Sequence, residues 1–582
     1  MTTKQLKIHS ENILPILKKW LYSEKDIFAR ELIANACDAL SKLRVLGTFD
    51  EKSFRIDVKI DKENKTLVFS DTGIGMSADE VEKYIAQLAF SGAEEFIEKY
   101  SEKGAKDQII GHFGLGFYSA YMVAKTVEID TLSYAEGFAP AHWVCDGSSD
   151  YTLSEGKRNE RGTTITLHLE DDEYLDAHHL KSILSRFCSY LPYPIFLNDE
   201  QINPHEPLWL KNPSDCTDKE YIDFYHQLYP MEPDPIFWIH LSVDYPFHLQ
   251  GILYFPKITR QLDTRKNAIK LFCNRVFVSD NCEDVIPDYL MLLRGAIDSP
   301  DIPLNVSRST LQVDRTVRQL GSHISKKIAD KLSSLYRNER EQFLKSWPDI
   351  EVVIKLGALQ DEKFYDRVKD FLVFENIKGE WTTIPEYLER NPEKVFYTTH
   401  DTHTLKLYEN VEVLKAGSHI DAPLIGMLEH KHSPAKFQRI DGVIDDAVID
   451  KSRQKDLIDE TGKTESAHIA DFFRKQFDGV EVAAKSLSDD SLPAFVMIDE
   501  SMRRFRDTMA LHEKDMGFDK HTLVVNTNSP LVKAVMKADP DTAKALSTHI
   551  YELALLGQRE LKSEKLSSFI ERANQLLEKL LS

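Results

Sequence analysis

The stretch RELIANACDALSKL, Arg30 to Leu43, repeats its apolar residues at the spacing of a helix. Leu32, Ile33, Ala36, Ala39, Leu40 and Leu43 gather on one side. Glu31, Asn35 and Asp38 fall within an arc of roughly 60° on the other. Ser23-x-x-Asp26 predicts a capping box and a helix start nearby. A solvated face normally mixes lysine with acids to make pairs one turn apart. This face presents a carboxylate, a carboxamide and a carboxylate, although taken alone it still reads as solvated surface.

Further on, the period switches to two. SFRIDVKI places Phe54, Ile56, Val58 and Ile60 on one face and Arg55, Asp57 and Lys59 on the other, which predicts a half-buried strand. DKENK is turn material and TLVFSD a second strand, so a hairpin is expected. TTITLHL, after Gly162, is another strand. Together these make residues 1–205 one α/β unit. Six prolines between Pro204 and Pro235 interrupt the periodicity, so 206–232 reads as a linker. PIFWIHLSV, GILYFP and IKLFCNRVFVSD are strand-like, and helical material runs from about Asp314 to Phe343. They open a second α/β region, 233–462, which closes on polar DKSRQKDLIDETGKTES. Residues 467–582 form the last region. Its final helix sets Leu566, Phe569, Ile570, Ala573, Leu576, Leu577 and Leu580 in one stripe. That stripe packs either within its own domain or against a second copy.

Composition narrows the function classes. The 582 residues suit roughly three or four domains. The 94 acids against 73 bases, net −21, repel phosphate backbones and argue against a nucleic-acid partner. Cys37, Cys145, Cys188, Cys216, Cys273 and Cys282 are scattered without a CxxC pair, which suits a reducing compartment and not a disulfide scaffold or structural zinc. No apolar run reaches the about 18 residues of a membrane helix. MTTKQLKIHSENILPILKKW lacks the apolar centre of a signal peptide. The expectation is a cytoplasmic protein with no membrane partner.

Two glycine clusters change the reading of the first helix. SDTGIGM puts Asp71 at a strand end, just before Gly73 and Gly75, where backbone approaches a ligand closely. A buried aspartate there suits an amino group such as that of adenine. GHFGLGF carries Gly111, Gly114 and Gly116 ahead of the apolar pattern YSAYMVA, and glycines opening a helix turn N–H groups toward an anion. No GK[ST] follows, so this is not a Walker loop. The two loops, the acid-amide helix and RGTT at 161–164 are specific as a set.

IFARELIANACDAL, DTGIGM, IGHFGLGFYSAYMVA and RGTTITLHL, in that order, resemble the GHKL ATPase fold, and within it the heat-shock protein 90 chaperone family in its bacterial, HtpG-like form. NRVFVSDNCEDVIPDYLMLLRGAIDSPDIPLNVSRSTLQ at 274–312 and NTNSPLVKAV near the end extend the likeness over nearly the whole chain. The resemblance implies an α/β (α+β) protein. It would have an N-terminal GHKL, Bergerat-type α/β sandwich, an α/β middle domain and a mainly helical C-terminal dimerisation domain. It further implies a homodimer that binds ATP and Mg²⁺ and acts on non-native client proteins, with other chaperones as further partners.

By the same resemblance Glu31 is the general base, Asn35 the Mg²⁺ ligand, and Asp71 the adenine contact, supported by Thr163, Gly75 and Met76. Gly114, Gly116 and Phe117 form the phosphate loop, and Asp38 lines the pocket. Arg308, with Gln312 one turn on, reaches the γ-phosphate from the middle domain. The lid departs from the family pattern: Ala86, Gln87, Phe90 and Ala93 replace glycine, threonine, lysine and threonine, and His112 stands where glutamine is common. These changes leave open a holdase with slow or vestigial ATPase. Met497, Met502, Met509 and Met516 crowd one segment, with Met502, Phe505 and Met509 on one helical face. This is either a core or dimer helix or a client contact. Trp238 and its apolar neighbours are a second candidate client contact. The ending LLEKLLS lacks an acidic co-chaperone tail and points to a bacterial or organellar type.

Overall fold

The computed structural model describes residues 24–582, apart from 48, 88–89, 91–95, 98–108, 112–113, 149, 258–268, 281, 283–284, 303, 306–314, 401–402, 441, 443–447, 454–461, 499–520, 559 and 582. The chain divides into two compact units, Met1–Lys331 and Leu332–Ser582.

The first unit is built on an eight-stranded sheet in the order β5-β4-β3-β6-β2-β1-β7-β8. The strands are β1 (Ile56–Asp61), β2 (Thr66–Asp71), β3 (Ala124–Leu132), β4 (Ala141–Cys145), β5 (Tyr151–Glu155), β6 (Gly162–Leu169), β7 (Ile195–Leu197) and β8 (Glu200–Gln201). The expected hairpin is β1–β2, antiparallel with Ile56 opposite Asp71. Helices α1 (Ile27–Leu46), α2 (Ala78–Tyr84) and α3 (Ala177–Cys188) belong to the same unit. Phe28, Ile33, Leu40 and Leu43 of α1 share a core with Val58, Leu67 and Leu184.

The α1 helix begins at Ile27; Ser23, the capping residue of the expected box, lies outside the described residues, and the Asp26 carboxylate accepts from the Tyr174 hydroxyl at 3.0 Å. Two local expectations are corrected, a helix over YSAYMVA and an unpacked linker at 206–232. The pattern YSAYMVA does not extend into an α-helix. Gly116–Met122 is a 3₁₀ segment, and β3 starts at Ala124, where backbone pairing with β6 takes over. The segment 206–232 is packed. Thr217 and Glu220 form a capping box that starts α4 (Asp218–Leu228), and Tyr221, Phe224, Tyr225 and Leu228 are buried at helical spacing. Pro207 and Pro213 stand at the starts of two 3₁₀ segments ahead of that helix, Leu208–Leu210 and Pro213–Asp215.

A second sheet, β12-β11-β13-β10-β9, completes the unit, with β9 (Phe237–Val243), β10 (Leu249–Phe255), β11 (Ile269–Cys273), β12 (Val276–Ser279) and β13 (Arg294–Asp298). Trp238 stacks on Tyr221 at 4.9 Å. Helix α5 (Arg315–Asn338) runs on into the second unit.

In the second unit a parallel three-stranded sheet centres on Lys394–Thr398, between Val413–Lys415 and Lys436–Arg439. Lys355, buried in helix Arg340–Gln360, pairs with the equally buried Asp421 at 2.7 Å. The C-terminal region combines helices with a sheet of Glu481–Lys485, Thr522–Asn526 and Ala494–Met497. Among the described residues, no helix is long and apolar enough to cross a membrane.

Candidate functional site

The polar side of α1 is buried rather than solvated: Glu31 is 6% and Asp38 8% exposed, while Asn35 is half-buried. Burial of two carboxylates is costly unless each is paired, and the structure shows how each is satisfied. The Glu31 Oε1 atom accepts from Arg30 Nε at 3.0 Å and Nη2 at 2.9 Å. The Arg30 guanidinium, itself buried, lies 5.6 Å from the centre of the Phe187 ring. The other oxygen, Oε2, sits against Gly116, where an added Cβ would come within 2.5 Å of it. Gly116 is therefore required by the glutamate as well as by the turn. Asp38 accepts from the Ile110 N–H at 2.6 Å and the Gly111 N–H at 2.7 Å. It fixes the backbone that leads into the glycine loop. Asn35 keeps the most solvent access of the three.

Asp71 stands at the end of β2, opposite Thr163 of β6. Its Oδ1 accepts from the Gly73 N–H at 2.8 Å and the Thr163 N–H at 3.3 Å. These bonds fix the orientation of the carboxylate through Oδ1. Burial pushes the carboxyl up to about 6, opposed by the Gly73 N–H, the Arg158 charge and the Thr163 N–H. The following turn tucks against α1, with Ile74 N–H donating to the Ala39 carbonyl at 3.2 Å. Thr131 of β3 joins the parts: its Oγ1 accepts from Met76 N–H at 2.9 Å, donates to the Gly162 carbonyl at 3.1 Å and lies 3.0 Å from Thr163 Oγ1.

Gly75 has φ +63°, and a Cβ there would fall 1.8 Å from the Leu132 carbonyl oxygen. Gly75→Ala is expected to destabilise the first unit by at least about 2 kcal/mol, because a left-handed alanine costs about 1–2 kcal/mol before any overlap. Urea unfolding of the full chain checks this. An unchanged transition would show that the Ile74–Met76 turn is not locked against β3.

On the loop side, the Phe117 ring packs against Tyr118 and Trp143 at 5.5 and 5.8 Å, so its side chain is committed to the core. The Tyr118 hydroxyl donates to the Ile85 carbonyl at 2.5 Å, tying the end of α2 to this segment. Phe90 stacks on Tyr84 at 6.0 Å, and its carbonyl oxygen lies 2.6 Å from where a Cβ on Gly114 would be. Lys42 is half-buried; desolvation lowers its pKa, opposed by the charges of Asp38 and Glu80.

The structure thus brings together Glu31, Asn35, Asp38, Gly116 and Phe117 around α1, sets Gly114 against Phe90, and places Asp71, Gly75, Met76 and Thr163 at the β2–β6 end. Arg308, Gln312, Ala93, His112, Met502, Phe505, Met509 and Met516 lie outside the described residues. Sequence reasoning missed Arg30, Thr131 and Arg158. Arg158 lies three residues before the RGTT motif, which was the available signal. Thr131, an ordinary strand residue, gave none.

Residues 197–582 match the family model described as Hsp90 protein, and residues 27–149 match that of histidine kinase-, DNA gyrase B-, and HSP90-like ATPases. The chaperone protein htpG of Bacteroides fragilis (strain YCH46) is 40% identical over 585 residues, covering 92% of this chain and 84% of the relative. Chaperone protein HtpG of Porphyromonas gingivalis (strain ATCC BAA-308 / W83) is 38% identical, covering 93% and 85%. That of Salmonella paratyphi A (strain ATCC 9150 / SARB42) is 31% identical over 99% of both chains.

Proposed function

The chain belongs to the Hsp90 protein family, and from that footing we propose that it is a Mg-ATP-dependent molecular chaperone that couples ATP hydrolysis to client remodelling. The observation that carries the reading is Asp71: a buried carboxylate with one oxygen fixed by two backbone N–H groups. Such a group selects a ligand amino group, here that of adenine, with Thr163 and Met76 beside it. Glu31 takes a proton from the water that attacks the γ-phosphate. The backbone of Gly114, Gly116 and Phe117 faces the phosphates, and Asp38 holds the approach to that loop. Asn35 offers a half-exposed carboxamide oxygen one turn from Glu31, which fits a hard cation that takes its other ligands from phosphate and water. Mg²⁺ bound there would neutralise phosphate charge. Arg308 adds positive charge at the γ-phosphate, with Gln312 beside it, so hydrolysis depends on closure.

Calorimetric binding of ADP and ATP, steady-state turnover, and ATP-dependent suppression of aggregation of a heat-denatured protein test this. Absence of nucleotide binding overturns it. A second reading, a holdase with a vestigial ATPase, is favoured by the engagement of Glu31 Oε1 with Arg30 and by the lid substitutions. It predicts equal aggregation suppression with and without ATP, and background turnover.

Helix Ser563–Leu581 leaves Leu566, Ile570 and Leu577 at 43%, 50% and 58% exposure. Leu553 and Leu556 of helix Pro540–Gly557 are similarly uncovered, at 40% and 42%. The occupant of this apolar stripe is a second copy of the chain, through the C-terminal helices. Ile570→Asp is expected to convert a dimer to a monomer at micromolar concentration, read by light scattering after size exclusion. A dimer of unchanged stability places the seam elsewhere. Non-native clients and other chaperones are the remaining partners; the −21 charge argues against nucleic acid.

A further inference from the structure

We infer that Arg158 is a positioning residue for adenine recognition, acting through the sheet from the face opposite Asp71. The inference rests on the adenine reading of Asp71. Along β2, Phe69 and Asp71 are buried on the α1 side, while Ser70 points to the other face. The Arg158 guanidinium lies on that other face, half-buried, and its donors converge on the ends of β2 and β6. Nη2 donates to the Asp71 carbonyl at 2.7 Å and to the Arg161 carbonyl at 3.2 Å. Nη1 donates to Ser70 Oγ at 3.3 Å and to Thr164 Oγ1. Nε donates to the Glu160 carbonyl at 3.0 Å. Ser70 and Thr164 are register partners, as are Asp71 and Thr163 one residue on.

One planar fork therefore clasps the strand pair at the step that carries the recognition carboxylate. Room for it is made by Gly162: a Cβ there would lie 2.7 Å from Arg158 Nη2 and 2.1 Å from the Asp71 carbonyl oxygen. Arg161 leaves in another direction, to Ser53 Oγ at 2.9 Å and over the Phe49 ring at 4.6 Å. Arg158 also supplies charge. The groups facing Asp71 are Arg158 from behind the sheet and the buried thiol of Cys37 on α1. Those facing Arg158 are Asp71, Glu160 and Asp130. The guanidinium opposes the burial that pushes Asp71 up, so it keeps the carboxylate ionised and able to accept a charge-assisted hydrogen bond. A lysine could satisfy the charge but not the fork.

The test is calorimetric titration of the full chain with ADP from pH 5 to pH 8, for wild type, Arg158→Met and Arg158→Lys. Wild-type affinity is expected to fall as pH drops through about 6, where Asp71 protonates. Arg158→Met is expected to weaken ADP about tenfold at pH 7.5 and to move the pH midpoint upward. Arg158→Lys is expected to weaken ADP while holding the midpoint near wild type. A strand clasp with no bearing on recognition would lower the melting temperature and leave the midpoint alone. An unmoved midpoint in Arg158→Met, whatever its affinity, overturns the inference. If Arg158→Met does not fold, Arg158→Lys decides it, since wild-type ADP affinity in that variant also overturns it. Wild type that binds no ADP at any pH removes the adenine reading itself, a result distinct from the other two.

Discussion

Glu31→Gln is expected to lower ATP turnover by about 10²- to 10⁴-fold, the usual contribution of a general base, while leaving ATP affinity within a few-fold. Glutamine is the informative replacement because of what surrounds the carboxylate. Arg30 is buried and donates twice to Glu31 Oε1. Alanine would remove the acceptor of both of these bonds, and breaking a buried pair costs roughly 3–5 kcal/mol. The amide oxygen of glutamine can still accept from Arg30, and its volume still fills the space beside Gly116. The loss then reports proton transfer and not a collapsed site. Phosphate release under saturating ATP, with calorimetric ATP binding alongside, is the measurement. Equal, background-level rates in wild type and variant would sink the enzyme reading and leave the holdase.

How much of this site the sequence discloses depends on how local each signal is. Glu31, Asn35 and Asp38 are placed on one face by helical period alone, and that face is where the structure has them. Gly75 is legible too, because a glycine after a strand-end aspartate implies a tight turn. The burial of Glu31 is not legible, since it depends on Arg30 folding back and on Gly116, 85 residues away in the chain, lacking a side chain. Thr131 joins β3 to the β2 turn through contacts across strands, which no window of sequence contains. The α4 stripe of Tyr221, Phe224, Tyr225 and Leu228 is short and lies between prolines, whose turn signal masks its period. The Asp26–Tyr174 bond, between residues 148 apart in the chain, is likewise outside any local window.

The second large effect is expected at Asp71. Asp71→Asn should weaken ATP and ADP by about 10²- to 10³-fold, because it trades a charge-assisted bond for a clash of donors. Oδ1 already accepts from Gly73 and Thr163, and both donors are backbone atoms that cannot turn away. An asparagine must therefore set its carbonyl oxygen there and present its NH₂ where Oδ2 stands, toward the amino group of the base. The substitution has a second signature. Burial holds the Asp71 carboxyl at about 6, so wild-type affinity rises with pH through that value as the carboxylate forms. Asparagine does not titrate, and the variant's weak affinity should be flat across the same window. Its melting temperature should hold or rise, since a neutral amide is easier to bury than a carboxylate. Calorimetry from pH 5 to pH 8 with a parallel thermal melt distinguishes lost recognition from lost folding. Near-wild-type affinity in a folded variant would remove Asp71 as the adenine anchor and send the search to the Met76 side of the pocket.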